Sequence, residues 1–431
     1  MLPGGGPRVR RRLTPFVATL LAGIVLMAAP SPALAGGSIT AGEEGSGIPA
    51  IPVVLPDGAP TAARLAIRFA DLEGYAWARP AISYVAASFD WMRDFAPDEE
   101  GLYPFKPGAS ERRRLFARAL VRAFAPDAVA DPSIAFPDVD PETQWHTYAA
   151  IAVERGWMRT VQGGAFEPNE PLTMRAAHRA LVFALRLRPA AGSLDRLRTV
   201  DGTRFAVPPG FGTTLLGMRL GLRYNAPSGS ESLDVGPDDV LSRAQAAYSL
   251  YRAATQPAWN VDALLEQYTD IRLPHLGPRM TDVVQWGVRY VGYPYVWGGE
   301  WGLDSQAPGG LGGQPRSGFD CSGMTWWLLR QNDDAAWKVA PPRPYAGWSL
   351  AQRTSADMAR MTPNRIRFGD LKPGDIMFYD GDGDGTVDHV DTFIGGGWAL
   401  DSSSTPGGVT IMWVGDGWYR DHFVHGRRIL P

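Results

Sequence analysis

Apolar residues return at helical spacing in three stretches of the chain, and each stretch follows a proline-bearing turn. Trp91-Met92-Arg93 and Phe105-Lys106-Pro107 lead into a run over residues 113–124; Trp157-Met158-Arg159 and Phe166-Glu167-Pro168 lead into a run over 173–185. These two copies lie about one 60-residue period apart. A weaker third copy starts at Gly236-Pro237 and continues to Tyr251. Leu181 with Leu185, and Ala247 with Leu250 and Tyr251, share one face of a 3.6-residue helix, so the pattern predicts an array of amphipathic helices. From about residue 278 the texture changes to aromatics and glycines. There the pattern predicts a helix over 282–290, strands over 376–379 and 387–394, a reversal at Gly395-Gly396-Gly397 and a further strand over 398–402. The expected class is α+β, with mainly helical repeats followed by a helix-and-sheet domain.

Composition sets the ends of that picture. Arg8, Arg10, Arg11 and Arg12 precede an apolar run over 16–29 and then Ala33-Leu34-Ala35, so residues 1–35 read as a secretory signal peptide. The run is shorter than the ~20 residues a bilayer span needs, and no later segment is a candidate. Residues 36–62, rich in Gly and Pro, read as a flexible linker. Cleavage after residue 35 would remove four arginines and no acid, leaving the chain more acidic than its full-length formal charge of -3. No basic stripe then remains to neutralise phosphates, which excludes a nucleic-acid partner.

The cysteine count changes the picture most. A secreted chain of 431 residues with one cysteine, Cys321, can form no intrachain disulfide. Such a thiol is either a small buried hydrophobe or a nucleophile. Met324, Trp327 and Leu328 fall on one helical face after Asp320-Cys321-Ser322-Gly323, which predicts a helix starting at the cysteine with Asp320 as its cap. Unpaired N–H groups and the helix dipole favour a thiolate there. Downstream, His389 and Asp401 are equidistant from Gly395 with the same parity, so a hairpin centred there sets them on one face as near-opposite neighbours. Cys321, His389 and Asp401 thus form a candidate relay: the imidazole takes the thiol proton and the carboxylate holds the imidazole in the right tautomer.

In this order the residues resemble the NlpC-type peptidoglycan cysteine peptidases over most of 278–431. The resemblance runs through Pro294-Tyr295-Val296-Trp297-Gly298-Gly299, Asp320-Cys321-Ser322-Gly323, Pro373-Gly374-Asp375, His389, Asp401 and the closing segment 423–429. It implies a papain-like domain, with the cysteine helix packed on an antiparallel sheet. It also implies hydrolysis of amide bonds in peptidoglycan stem peptides, commonly between D-γ-glutamyl and a diamino acid, with no cofactor required. By the same resemblance Tyr295 hydrogen-bonds near the thiol, and Asp320 and Ser322 line the substrate groove. The chain departs from the family in carrying Asp401 where histidine is commoner, Asp391-Thr392 in place of a glycine and an apolar residue, and an insertion over 300–318 at the mouth of the groove.

The repeats resemble S-layer homology repeats, most closely at Phe136-Pro137-Asp138-Val139, Phe166-Glu167-Pro168-Asn169 and Leu172-Thr173. That resemblance implies binding of an anionic secondary wall polymer through Arg114, Arg175 and Arg243. The expected organisation is signal peptide 1–35, linker 36–62, repeats 63–125, 130–188 and 195–256, linker 257–277 and peptidase domain 278–431, in a protein secreted to the bacterial cell wall. Two other readings share these residues: a wall-anchoring protein with an inactive peptidase domain, and an amidase or poly-γ-glutamate hydrolase using the same thiol. Finally, Asp380, Asp382 and Asp384 with Gly385 and Asp391 match positions one, three, five, six and twelve of a calcium loop. The strand-like flanks fit an ordinary Gly-Asp turn as well.

Overall fold

The computed structural model describes residues 67–227, 229–301, 318–330, 345, 347–348 and 350–430. The expected signal peptide, the expected first linker and most of the expected 300–318 insertion lie outside the described residues. The first half is helical: α1 (Arg79–Ile82) runs into a wider turn over Ser83–Ser88, followed by α2 (Arg113–Phe124), α3 (Gln144–Glu154), α4 (Met174–Ala184), α5 (Arg188–Leu194), α6 (Phe211–Arg219) and α7 (Arg243–Ala254). The caps are local. Thr173 accepts from the Ala176 N–H at the head of α4, and Ser242 and Gln245 form a reciprocal capping box at the head of α7.

What joins the repeats is not local. The three segments before α2, α4 and α7 meet and bond in a ring: Glu111 N–H to Leu241 O, Leu241 N–H to Leu172 O and Leu172 N–H to Glu111 O, each 2.9 Å. First-turn N–H groups have no partner inside their own helix. Here they find one in a neighbouring segment: Arg114 donates to Pro168 O, Arg175 to Pro237 O and Ala244 to Pro107 O. Each long helix also packs on the shorter helix of another repeat, α2 on α3, α4 on α6 and α7 on α1. No single repeat can satisfy these groups, so the three close as one unit.

The ring corrects the expected set of surface arginines. Arg114 and Arg175 occupy equivalent positions whose third member is Ala244, whereas Arg243 is equivalent to Arg113 and Met174. Arg243 is fully buried, ion-paired with Asp94 at 2.8 Å and Glu111 at 3.0 Å, and lies over the Phe105 ring. A polymer at the surface cannot reach it. Arg175 donates two hydrogen bonds of 2.9 Å to Asp238, and Arg114 sits over Trp145.

The chain continues through α8 (Ala258–Tyr268) and α9 (Pro278–Gly287) into a two-stranded ribbon, β1 (Glu300–Trp301) and β2 (Gly318–Phe319). Next come α10 (Cys321–Leu329) and α11 (Ser355–Arg360), then β3 (Ile376–Tyr379), β4 (His389–Gly395), β5 (Trp398–Ser403), β6 (Gly408–Trp413), α12 (Gly417–Asp421) and β7 (Phe423–Arg427). The five strands β3 to β7 form one antiparallel sheet in the order β6-β5-β4-β3-β7. Helix α10 is apolar on every side and buried throughout, as expected of a helix enclosed by a core rather than lying on one. It packs on β4, β5 and α9.

The expected linker 257–277 is also corrected. Much of it is α8, whose Leu264 and Tyr268 are buried and whose Tyr268 hydroxyl donates to Ile411 O of β6 at 2.9 Å. Buried Arg223, after α6, donates to Val235 O and Gly292 O and reaches Gly407 O before β6. These contacts join the helical repeats to the sheet directly. No described helix is long and apolar enough to cross a membrane.

Candidate active site

Cys321 is the first residue of α10, and Asp320 caps that helix by accepting from the Gly323 N–H. Asp320 also accepts from Gly298 N–H at 3.1 Å, tying the preceding glycine loop to the helix head. The Cys321 thiol is nearly buried, with Sγ 3.9 Å from the Asp388 carbonyl oxygen, one residue before His389.

The sheet supplies the rest by its alternation. Val390, Ile394, Leu400, Val409 and Ile411 join the main core, while Met377, Tyr379, Phe393, Ala399 and Met412 form a second cluster backed by Trp418, Tyr419 and Phe423. His389, Asp391 and Asp401 share the parity of that second face. The hairpin is not centred on Gly395 as expected: Thr392 pairs with Leu400 and a bulge lies between Phe393 and Gly395. That register continues with Asp391 opposite Asp401 and His389 one step along the diagonal. His389 Nε2 therefore meets two carboxylates, Asp401 Oδ1 at 3.1 Å and Asp391 Oδ1 at 3.2 Å.

The surroundings of this group are closed. The His389 side chain is 13% exposed and both acids are fully buried. Tyr379, Trp418 and Tyr419 ring the imidazole, and the Tyr419 hydroxyl donates to Asp401 Oδ2 at 3.3 Å. Burial opposes the His389 charge, but the Asp391 charge and hydrogen bonds to Asp391, Asp401 and Cys321 outweigh it, and the imidazole is held well above its ordinary pKa. Burial and the Asp401 charge push Asp391 well above the usual carboxylate range. Tyr295 is raised by burial and then by the neighbouring Cys321 and Asp320 charges.

Asp320 and Ser322 sit inside the loop–helix junction rather than on an open groove. Both are buried, and Arg353 bonds to both, through Nη1 to Ser322 Oγ at 2.8 Å and to Asp320 Oδ1 at 3.1 Å. Its Nε donates to Glu300 Oε1 at 2.7 Å. Nothing in the spacing pointed to Arg353, which acts across more than thirty residues. Asp391 was legible, since it shares the parity of His389, but it was assigned to a calcium loop. The structure withdraws it: Asp391 is buried against His389, while Asp380, Asp382 and Asp384 form a separate cluster whose carboxylates accept N–H bonds from their own loop. Those three are the acids that remain to hold a hard cation there.

A thiol at a helix head, beside the strand whose first imidazole meets buried carboxylates through Nε2, is an arrangement for nucleophilic attack on a carbonyl. Residues 292–428 match the model of the NlpC/P60 family. This segment is an NlpC/P60 domain. Its papain-like fold is the one already described, with an antiparallel sheet in the C-terminal region and helices before it. The chain is 29% identical over 143 residues to the murein DD-endopeptidase MepH of Escherichia coli, covering 33% of this chain and 43% of that protein. It is 28% identical over 148 residues to the gamma-D-glutamyl-L-lysine dipeptidyl-peptidase of Bacillus subtilis, covering 34% and 40%. A solved NlpC/P60 family protein from Bacillus cereus is 26% identical, covers 38% of this chain and 42% of its own, and superposes with a TM-score of 0.25. The chain thus spans about two fifths of the length of the curated relatives it matches.

Proposed function

We propose that the protein is a secreted cell-wall hydrolase that cleaves amide bonds of the peptidoglycan stem peptide, of the D-γ-glutamyl–diamino acid type, with Cys321 as nucleophile. The observation that carries this reading is the Cys321 thiol at the head of α10, 3.9 Å from the Asp388 carbonyl and so beside the start of the strand that carries His389, within a domain of the NlpC/P60 family. His389 takes the thiol proton, and the thiolate sulfur adds to the scissile carbonyl carbon. The oxygen that becomes negative faces the Cys321 N–H, one of the first-turn donors without an intrahelical partner. Collapse expels the amine, which receives the proton from His389, and leaves a thioester on Cys321. Water then attacks the thioester carbonyl with His389 as base, releasing the acid and restoring the thiol. Asp401 accepts a hydrogen bond from Nε2–H and steadies the imidazolium.

The test is incubation of purified peptidoglycan with the protein lacking residues 1–35, followed by mass analysis of the released fragments. Paired γ-glutamyl and diamino acid termini are expected, and Cys321→Ser or prior thiol alkylation removes them. Release of intact stem peptides would instead mark an amidase. Wall sedimentation without any release would leave only a binding role for the repeats, which we propose as a wall-facing unit.

A further inference from the structure

The search for unused groups returns to the second acid at His389. Asp391 is fully buried, its Oδ1 lies 3.2 Å from His389 Nε2, and among the described residues neither carboxylate oxygen has a well-aligned hydrogen-bond partner and no Lys or Arg is paired with it. The groups facing it are His389 on its own strand, Asp401 on β5, Tyr379 on β3 and Tyr419 on α12, with Cys321 and Tyr295 beyond the ring. A buried carboxylate with no such role is strongly unfavourable. Its Oδ1 is as close to Nε2 as that of Asp401, within 0.1 Å.

We propose that Asp391 is a second positioning residue for His389, sharing with Asp401 the task of fixing Nε2 so that Nδ1 is left for the Cys321 thiol. The idea rests on the thiol reading above. The two carboxylate oxygens lie 3.1 and 3.2 Å from the same Nε2, and burial with the Asp401 charge holds Asp391 above the usual carboxylate range. Removing either acid leaves the other as an acceptor at Nε2. The two acids therefore back each other up, which a single orienting residue cannot do.

Because Cys321 is the sole cysteine, its alkylation by iodoacetamide against pH reports the thiolate–imidazolium pair without any substrate. The same variants, Asp391→Asn, Asp401→Asn and the two combined, are then assayed for kcat and KM on a stem peptide, with thermal midpoints recorded. Each single substitution is expected to lower kcat by roughly tenfold, with the acid limb of alkylation near its wild-type position. The double is expected to lose roughly a thousandfold or more in kcat at similar KM. Its acid limb should rise by about one pH unit or more, because no charge remains to hold the imidazolium that stabilises the thiolate. A purely structural role moves the midpoint and leaves that limb alone.

Loss of a thousandfold in Asp401→Asn by itself overturns the proposal, and this variant decides even if the double does not fold. A double variant that alkylates like wild type overturns it equally. If the wild type hydrolyses no wall peptide yet alkylation shows the expected pattern, the hydrolase reading falls and the positioning role stands.

Discussion

Glu111 sits in the ring that closes the helical repeats, fully buried and 3.0 Å from Arg243. Two effects compete there: burial penalises the carboxylate, and the Arg243 guanidinium favours it. Burial wins, and Glu111 is pushed up from 4.5 to about 7. A group raised on folding contributes stability that is fully present below its unfolded pKa and is lost as pH rises through its folded one. For Glu111 that contribution is about 3 kcal/mol, present below pH 4.5 and gone above about pH 7. Glu111→Gln keeps an oxygen for Arg243 and removes the titration. The unfolding free energy of both proteins, from urea melts at a series of pH values across that window, gives a difference in which other titrating groups cancel. Wild type should lose about 3 kcal/mol relative to the variant as pH rises. A flat difference, or one of opposite sign, would mean that the Arg243 charge outweighs burial, and the reasoning fails.

Three further outcomes follow from other contacts. Arg353→Met removes the cation paired with the buried Asp320 and Glu300 carboxylates, so urea unfolding should show a loss of about 3 kcal/mol and Cys321 alkylation should slow as the helix head loosens; an unchanged midpoint would contradict this. Tyr268→Phe removes the bond to Ile411 O while keeping the ring, and should lower stability by about 1 kcal/mol in the same assay. With Asp391 withdrawn from the loop, excess EDTA should leave both hydrolysis and thermal midpoint unchanged; a fall in either would show that Asp380, Asp382 and Asp384 hold a cation that matters.

Much of the candidate site was legible because it is built from short-range rules. The lone cysteine, the Asp320 cap and the apolar face after it predict a thiol at a helix head, and the cap bond to Gly323 is that local rule at work. Strand parity places His389 and Asp401 on one face whatever the exact turn. Register is less secure, since the bulge near Gly395 shifts the pairing by a residue pair and brings Asp391 opposite Asp401. Arg353 and the covering Tyr419 come from distant segments, and no spacing announces them.

The chain's own pattern determined many of the helices and strands and the placing of a thiol at a helix head, because caps, periodicity and turns act over a few residues. Only tertiary structure decided what became of the charges. Arg243 reads as one more helix-surface arginine until three repeats close around it, and residues 257–277 read as a linker until Tyr268 meets β6. Burial and pairing depend on which distant backbones come together, and that information lies in the closed packing, not in any window of sequence.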